Sequence, residues 1–114
     1  MPEQGDVVLV PVPFTDLTSQ KRRPVIVVSN DAYHRVAADV VVVAMTSNPT
    51  VVPYSFRITS TDLVEGTLNR PGNVRADKIY TLAKAIVVKK FGKVSPQVPE
   101  RLRRLMTDLI SPKT

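Results

Sequence analysis

The sequence predicts a mainly β fold with helices, a small barrel of about five to seven strands that carries one amphipathic helix at its C-terminal end. Short runs of β-branched and other apolar residues recur along the chain, and prolines, glycines and asparagines separate them. An open parallel sheet would need crossover helices between the strands, and these connections are too short for them. The last segment differs, because its apolar residues recur at helical spacing.

The strands are predicted from the apolar runs and from the turn residues that end them. Residues 40–45 give the strongest strand pattern, and the chain leaves that strand at Thr46 and Ser47. Pro24 is expected at the first residue of the second strand, where a missing N–H is tolerated. Residues 31–35 indicate a short turn, and residues 59–66 a turn or a single helical turn. The predicted strands cover residues 7–12, 25–29, 40–45, 51–58 and 74–82, the last continued by 85–88, and residues 89–94 close this region.

The C-terminal segment predicts an amphipathic helix that packs on the sheet. Ser95 is the candidate N-cap, and Pro96 is expected at the first helical position, where its missing donor has no cost. The apolar face consists of Val98, Leu102, Leu105, Met106 and Leu109.

Length and composition indicate one domain over residues 1–114, large enough to bury a core. The absence of cysteine excludes disulfides, thiolate zinc sites and cysteine nucleophiles. The apolar runs are too short to span a bilayer, and no basic region precedes the first of them, so we expect a cytoplasmic protein without a membrane segment. The net charge of +6 favours an anionic partner, either a nucleic acid or an acidic protein.

Metal chemistry has little support in the sequence, and no metal or cofactor is expected. His34 is the one histidine, and no carboxylates stand at ligand spacing. We expect His34 to be a surface or capping residue. A Ser-His-Asp site would need a buried acid beside His34, and the sequence places none there.

Three cations, Lys21, Arg22 and Arg23, stand at the start of the second strand. If the second and third strands are antiparallel neighbours, Arg23 lies close to Thr46 and Ser47. A guanidinium fork and a hydroxyl are suited to a phosphate and to the charge of a phosphorane-like transition state. Two plainer interpretations stay open: a solvated basic loop, and a threonine that only ends a strand. Arg22 could also be the fork that faces a substrate, since neighbours on a strand point to opposite faces.

The order and spacing of these segments resemble the MazF/PemK family of type II toxins. The resemblance rests on a Gly-Asp strand, an Arg-Pro strand and a strand that ends in Thr-Ser, and it covers nearly the whole chain. The matching segments are residues 5–10, 21–29, 43–47, 73–79 and 92–95.

The resemblance implies an SH3-like barrel of the CcdB/PemK-like kind, a homodimer, and single-stranded RNA or mRNA bound in a groove near the dimer interface. It implies a metal-independent, sequence-specific endoribonuclease in which the ribose 2′-OH attacks the adjacent phosphate, giving a 2′,3′-cyclic phosphate. The catalytic arginine and threonine of the family match Arg23 and Thr46. The RNA-binding candidates are Lys21, Arg22, Ser47, Arg75 and Lys78.

The general base stays open at this point. Some family members carry a glutamate at about the position of Thr18, and Asp16 is the nearest acid in the same loop, which makes Asp16 the candidate. Asp77 matches a recurring acidic position and is expected to be structural. The resemblance also implies a labile antitoxin whose acidic C-terminal segment wraps the toxin and occupies the RNA groove.

Two other functions compete with the ribonuclease. One is a nucleic-acid-binding module of the same fold that uses its cations without cutting, which predicts salt-sensitive RNA binding and no product. The other is a toxin that binds a protein target such as gyrase, which predicts growth arrest without any action on RNA.

Overall fold

The computed structural model describes residues 2–11 and 21–113, which form a curled antiparallel sheet and two helices. The strands lie in the order β4-β6-β3-β2-β1-β7-β5. The sheet curls into a half-barrel, and with the C-terminal helix it confirms the predicted fold class. The elements of the described residues are β1 (Asp6–Pro11), β2 (Arg22–Val27), α1 (Asp31–Val36), β3 (Asp39–Thr46), β4 (Ser55–Ile58), β5 (Leu63–Glu65), β6 (Gly72–Ala83), β7 (Lys89–Val94) and α2 (Gln97–Ile110), with 3-10 turns at Ser60–Asp62 and Lys84–Ile86.

The sheet buries apolar side chains on both of its faces, because successive side chains of a strand point in opposite directions. On β2, Ile26 packs in the cluster that α2 completes with Val98 and Leu102. Its neighbours Val25 and Val27 pack in a second cluster on the other face. This double burial explains why the central strands are almost continuous runs of apolar residues.

The helix α2 packs its apolar face on the sheet as predicted, but its cap differs from the prediction. The Ser95 hydroxyl donates to the Gln97 side chain at 2.9 Å and caps no backbone N–H, so the assignment of Ser95 as N-cap was wrong. Pro96 has helical dihedral angles and stands just before the first assigned helical residue. The guanidinium of Arg101 lies 4.3 Å from the ring centre of Phe56, which adds a cation–π contact between helix and sheet.

Several predicted boundaries were wrong, and local backbone chemistry explains most of them. Residues 31–36 form a full helix, α1, with the Asn30 side chain accepting from the Tyr33 N–H. The strand predicted over residues 51–58 covers only Ser55–Ile58, because Tyr54 has φ 64° and the Ser55 hydroxyl folds back onto Val52. Residues 84–86 form a 3-10 turn rather than a continued strand.

The second strand also begins earlier than predicted, at Arg22, and ends at Val27. Pro24 is therefore its third residue and pairs with Leu9 of β1. The ladder between β2 and β3 begins only at Val25, so Pro24 has no partner there that would need its missing N–H.

A buried carboxylate joins β1 to β7. Asp6 is 1% exposed, and its Oδ1 lies 3.4 Å from Lys90 Nζ and 3.5 Å from Lys93 Nζ. Its Oδ2 accepts the Glu3 N–H at 2.9 Å. Two cations therefore offset the cost of burying this charge at the start of the first strand.

No helix within the described ranges is long and apolar enough to cross a membrane.

We expect Gly66→Ala to destabilise the fold by more than about 2 kcal/mol, because left-handed backbone and a clash act together there. Gly66 has φ +78°, and a Cβ would lie 2.2 Å from the carbonyl oxygen of Phe91. Gly5 is the matched control: it has φ +91°, but a Cβ would meet its nearest atom at 3.6 Å. We expect Gly5→Ala to cost about 1 kcal/mol. Denaturant unfolding measures both, and equal losses would contradict the role of the Phe91 contact.

Candidate functional site

Arg23 and Thr46 stand on neighbouring antiparallel strands at the same edge of the sheet. The β2–β3 register pairs Val25 with Ala44, and continuing it by two residues sets Arg23 opposite Thr46. Directly opposed side chains of an antiparallel pair lie on one face, with Cβ atoms about 5 Å apart. On the other side of β2, Arg23 pairs with Val10 of β1. The antiparallel pairing of β2 with β3 is as the sequence predicted, and the approach of the Arg23 guanidinium to the Thr46 hydroxyl, two residues beyond the last ladder pair, stays a prediction.

Residues paired across the strands extend the line of polar side chains from Thr46 over two more strands. Thr46 pairs with Asn73 of β6, and Asn73 pairs with Arg57 of β4. Arg57 is exposed and donates to the carbonyl of Pro49 at 3.3 Å. Sequence analysis missed Arg57, although its place on the wet side of an alternating strand was a usable signal. Four polar side chains therefore cross the sheet at one level.

Arg23 and Thr46 are both open to a ligand. Arg23 is exposed, and no hydrogen bond or ion pair joins it to another residue within 2–11 and 21–113. Thr46 is half-buried, and its Oγ1 accepts the N–H of Asn48 at 3.2 Å. That bond uses a lone pair of the oxygen and leaves the hydroxyl proton available to donate. Ser47 is exposed beside it.

Asn73 fixes the segment that follows Thr46. Its side chain is 2% exposed, and its Nδ2 donates to the carbonyls of Asn48 at 2.5 Å and Thr50 at 3.2 Å. The Asn48 Oδ1 in turn accepts the Thr50 N–H at 3.0 Å. Asn73 Oδ1 is buried without a partner among the described residues. The buried side-chain amide of Asn73 therefore holds residues 48–50 in place. The sequence did not predict this role.

Arg75 is not the free cation that the sequence suggested. Its Nε and Nη2 donate to both carboxylate oxygens of Asp77 at 2.8 and 2.7 Å. The hydrogen bonds from Arg75 lower the pKa of Asp77, so the carboxylate stays ionised and the pair stays intact down to acidic pH. Asp77 and Lys78 lie where β6 shifts its register against β3, and Lys78 is exposed. The structural expectation for Asp77 agrees with this ion pair.

Two recesses meet at Thr46. The basic recess has a volume of about 370 Å³ and is lined by Ala44, Thr46, Asn48, Thr50, Val52, Arg75, Lys78 and Tyr80. The loop recess has a volume of about 270 Å³ and is lined by Pro24, Met45, Thr46, Ser47, residues 67–72 and Phe91. Thr46 is the one residue common to both linings.

The remaining predicted cations lie at the start of β2. Lys21 and Arg22 are exposed, and Arg22 donates to the Lys21 carbonyl at 3.3 Å. Arg22 pairs with Pro11, one position beyond Arg23, so its side chain points to the opposite face of the strand. Asp16 and Thr18 fall outside the described residues. Within the described residues, no three histidine, aspartate or glutamate side chains cluster as metal ligands would.

His34 is buried, so the expectation of a surface or capping residue was wrong. Its Nε2 lies 2.6 Å from the Ser29 hydroxyl, which also accepts the Val41 N–H at 2.9 Å. Asp31 Oδ1 is 3.6 Å from His34 Nδ1, too far for a hydrogen bond. The Ser29 oxygen is occupied by the backbone of β3, so this contact attaches α1 to the sheet.

We expect Asn73→Ala to loosen the segment after Thr46 while the fold persists, because the two carbonyls that lose their donor are at exposed residues. Amide exchange at Asn48, Thr50 and Val52 should become about tenfold faster. Hydrogen–deuterium exchange measures this, with the amides of residues 40–43 as the internal control. Unchanged protection at residues 48–52 would contradict the role of Asn73.

The comparisons with known proteins agree with this architecture. A family model described as PemK-like, MazF-like toxin of type II toxin-antitoxin system matches residues 3–110. No curated protein matches the sequence.

Solved structures match over almost the full chain. An endoribonuclease from a Mycobacterial species is 30% identical, with 99% of this chain and 95% of that chain covered and a TM-score of 0.74. An endoribonuclease in complex with its cognate antitoxin, also Mycobacterial, is 26% identical with full coverage of both chains and a TM-score of 0.73. A MazE–MazF structure from Deinococcus radiodurans is 22% identical, with 96% and 95% covered and a TM-score of 0.77, and shows the same fold. The chain therefore belongs to the PemK-like, MazF-like toxins of type II toxin–antitoxin systems.

Proposed function

We propose that this toxin is a metal-independent, sequence-specific endoribonuclease that cuts single-stranded RNA, including mRNA, with Arg23 and Thr46 as its catalytic residues. The observation that carries the proposal is the register of β2 against β3, which, continued by two residues, sets Arg23, unpaired within residues 2–11 and 21–113, opposite the Thr46 hydroxyl. Two similar structures, at 30% and 26% identity, are described as endoribonucleases.

The chemistry is an internal transfer at phosphorus. The 2′-OH forms a new bond to the adjacent phosphorus, and the bond to the 5′-oxygen breaks. The products are a 2′,3′-cyclic phosphate and a 5′-OH. The 2′-proton passes to a base, and the leaving oxygen receives a proton. Negative charge gathers on the phosphoryl oxygens between these two events, and the Arg23 fork and the Thr46 hydroxyl stabilise it.

We propose that the general base is a residue other than Arg23, because a guanidinium is a permanently charged donor and does not act as an acceptor. Asp16 remains our candidate for this role.

We assign RNA binding to the cations and the hydroxyl around this pair. Lys21, Arg22, Ser47 and Lys78 are exposed and can contact the backbone of a strand that crosses Thr46. Arg75 contributes only when it exchanges Asp77 for a phosphate. Arg57 joins this set because it shares the row of Thr46 and Asn73.

The proposal includes the partners implied by the family. An antitoxin with an acidic C-terminal segment would compete with RNA for the same cations, and one similar structure is described as bound to its cognate antitoxin. We also propose that the toxin acts as a homodimer in the cytoplasm, where its RNA substrates are.

We expect Arg23→Ala to lower RNA cleavage by at least about 100-fold without loss of the fold. The assay is incubation of a long single-stranded RNA in EDTA, with the product ends mapped. Arg104→Ala is the matched control, because Arg104 is exposed on α2 and lines neither recess. Full activity in Arg23→Ala would contradict its catalytic role. Intact RNA with the wild-type protein would favour a binding module or a protein-targeting toxin.

We expect Asp77→Asn to strengthen RNA binding several-fold at low salt, because it releases Arg75 from its bidentate partner and steepens the salt dependence by about one phosphate contact. A 2′-O-methyl RNA, which lacks the nucleophile, allows binding to be measured without cleavage. Asp108→Asn is the control, since it removes the same charge from α2, where Asp108 pairs with Lys113. The same gain in both variants would show that net charge alone is responsible.

A further inference from the structure

We propose that the loop recess binds one nucleobase next to the scissile phosphate, and that Asn69 and Arg70 read the edge of that base. The inference rests on the proposed ribonuclease function and deepens it, because it names residues that select the sequence to be cut.

The first argument is the position of the recess. Thr46 lines both the loop recess and the basic recess. A phosphate held by Thr46 therefore has a recess on each side, and the nucleotides on its two sides continue toward them. The basic recess presents Lys78, and also Arg75 when it exchanges Asp77 for a phosphate, and both cations suit a backbone phosphate. The loop recess presents an aromatic ring, Phe91, with the apolar Pro24 and Leu68, which suit the face of a base.

The second argument is that the wall of the recess is fixed before any ligand binds. The Ser60 hydroxyl accepts the Leu68 N–H at 2.8 Å and donates to the Leu68 carbonyl at 3.2 Å. The Leu68 side chain packs against the core cluster that α2 completes. At the far end of the loop Gly72 lies against Met45, where a Cβ would be 2.7 Å from the sulfur. A wall anchored on both sides loses little conformational entropy when a base binds.

The third argument is the chemistry of the loop tip. Asn69 and Arg70 are exposed, and within residues 2–11 and 21–113 neither makes a hydrogen bond or an ion pair through its side chain. An asparagine amide offers a donor and an acceptor side by side, and arginine offers a fork of donors. Both groups form paired hydrogen bonds with base edges. On a pre-fixed loop beside Thr46, they are placed to distinguish one base from another.

The experiment is cleavage of an RNA pool with randomised sequence, followed by sequencing of the product ends. Wild type, Asn69→Ala, Arg70→Ala and the control Arg104→Ala are compared. We expect the preference at one position flanking the cut to fall about tenfold in Asn69→Ala or Arg70→Ala, with the other positions unchanged. The control should keep the wild-type preference. An unchanged preference in both loop variants overturns the inference. So does an equal loss of cleavage on all sequences, which would indicate a phosphate contact.

A second measurement separates this inference from the proposed function. The wild-type protein is titrated with each of the four nucleoside monophosphates, and the amide signals of residues 67–72 are followed by NMR. Shifts at these residues that differ between the four bases support a base-reading recess even if the protein cuts no RNA. Identical shifts for all four bases, or none, overturn it even if the protein is an active ribonuclease.

Discussion

The antiparallel pairing of β3 with β2 on one side and β6 on the other determines almost everything else about this molecule. Residues 40–43 are buried or half-buried valines that pair with β6, and Val42 and Val43 also pair with Val27 and Ile26 of β2. A slip of one residue would turn Thr46 to the opposite face of the sheet. The same packing that forms the core thus decides which side chains meet at the edge of the sheet. The site inherits its geometry from the core.

The second requirement is that the irregular segment after β3 holds still. The strands end at the site, so the backbone hydrogen bonds between strands end there as well. Side chains form the hydrogen bonds that hold the backbone beyond that point. Asn73 supplies donors from beneath, and the hydroxyl of Ser55 bonds both the N–H and the carbonyl of Val52. Charge is managed in a similar way, since Asp77 occupies Arg75 and reduces the repulsion among the neighbouring cations. Polar side chains thus fix the backbone at the ends of these strands, as the backbone hydrogen bonds fix it within the sheet.

The sequence predicted the parts of the fold that depend on periodicity and missed those that depend on single contacts. The valine run of β3 and the apolar face of α2 are strong repeating signals, and the antiparallel pairing of β2 with β3, on which the prediction for Arg23 and Thr46 depends, is present in the structure. The strand β5 has only three residues and forms by pairing with β7. No local sequence pattern therefore predicts it. The shortening of β4 depends on one left-handed residue, Tyr54. The burial of His34 depends on Ser29, five residues away in sequence. Such contacts depend on the tertiary structure, and local residue propensities do not predict them.

The meeting of two recesses at Thr46 has a consequence for turnover. Under the proposed function, an RNA strand that crosses this threonine is held on both sides at once, and each contact raises the effective concentration of the other. A cut at that point separates the two halves, so each product keeps only one of the two contacts. Under that proposal the intact strand is retained, its fragments are released, and the toxin is free to act on another transcript.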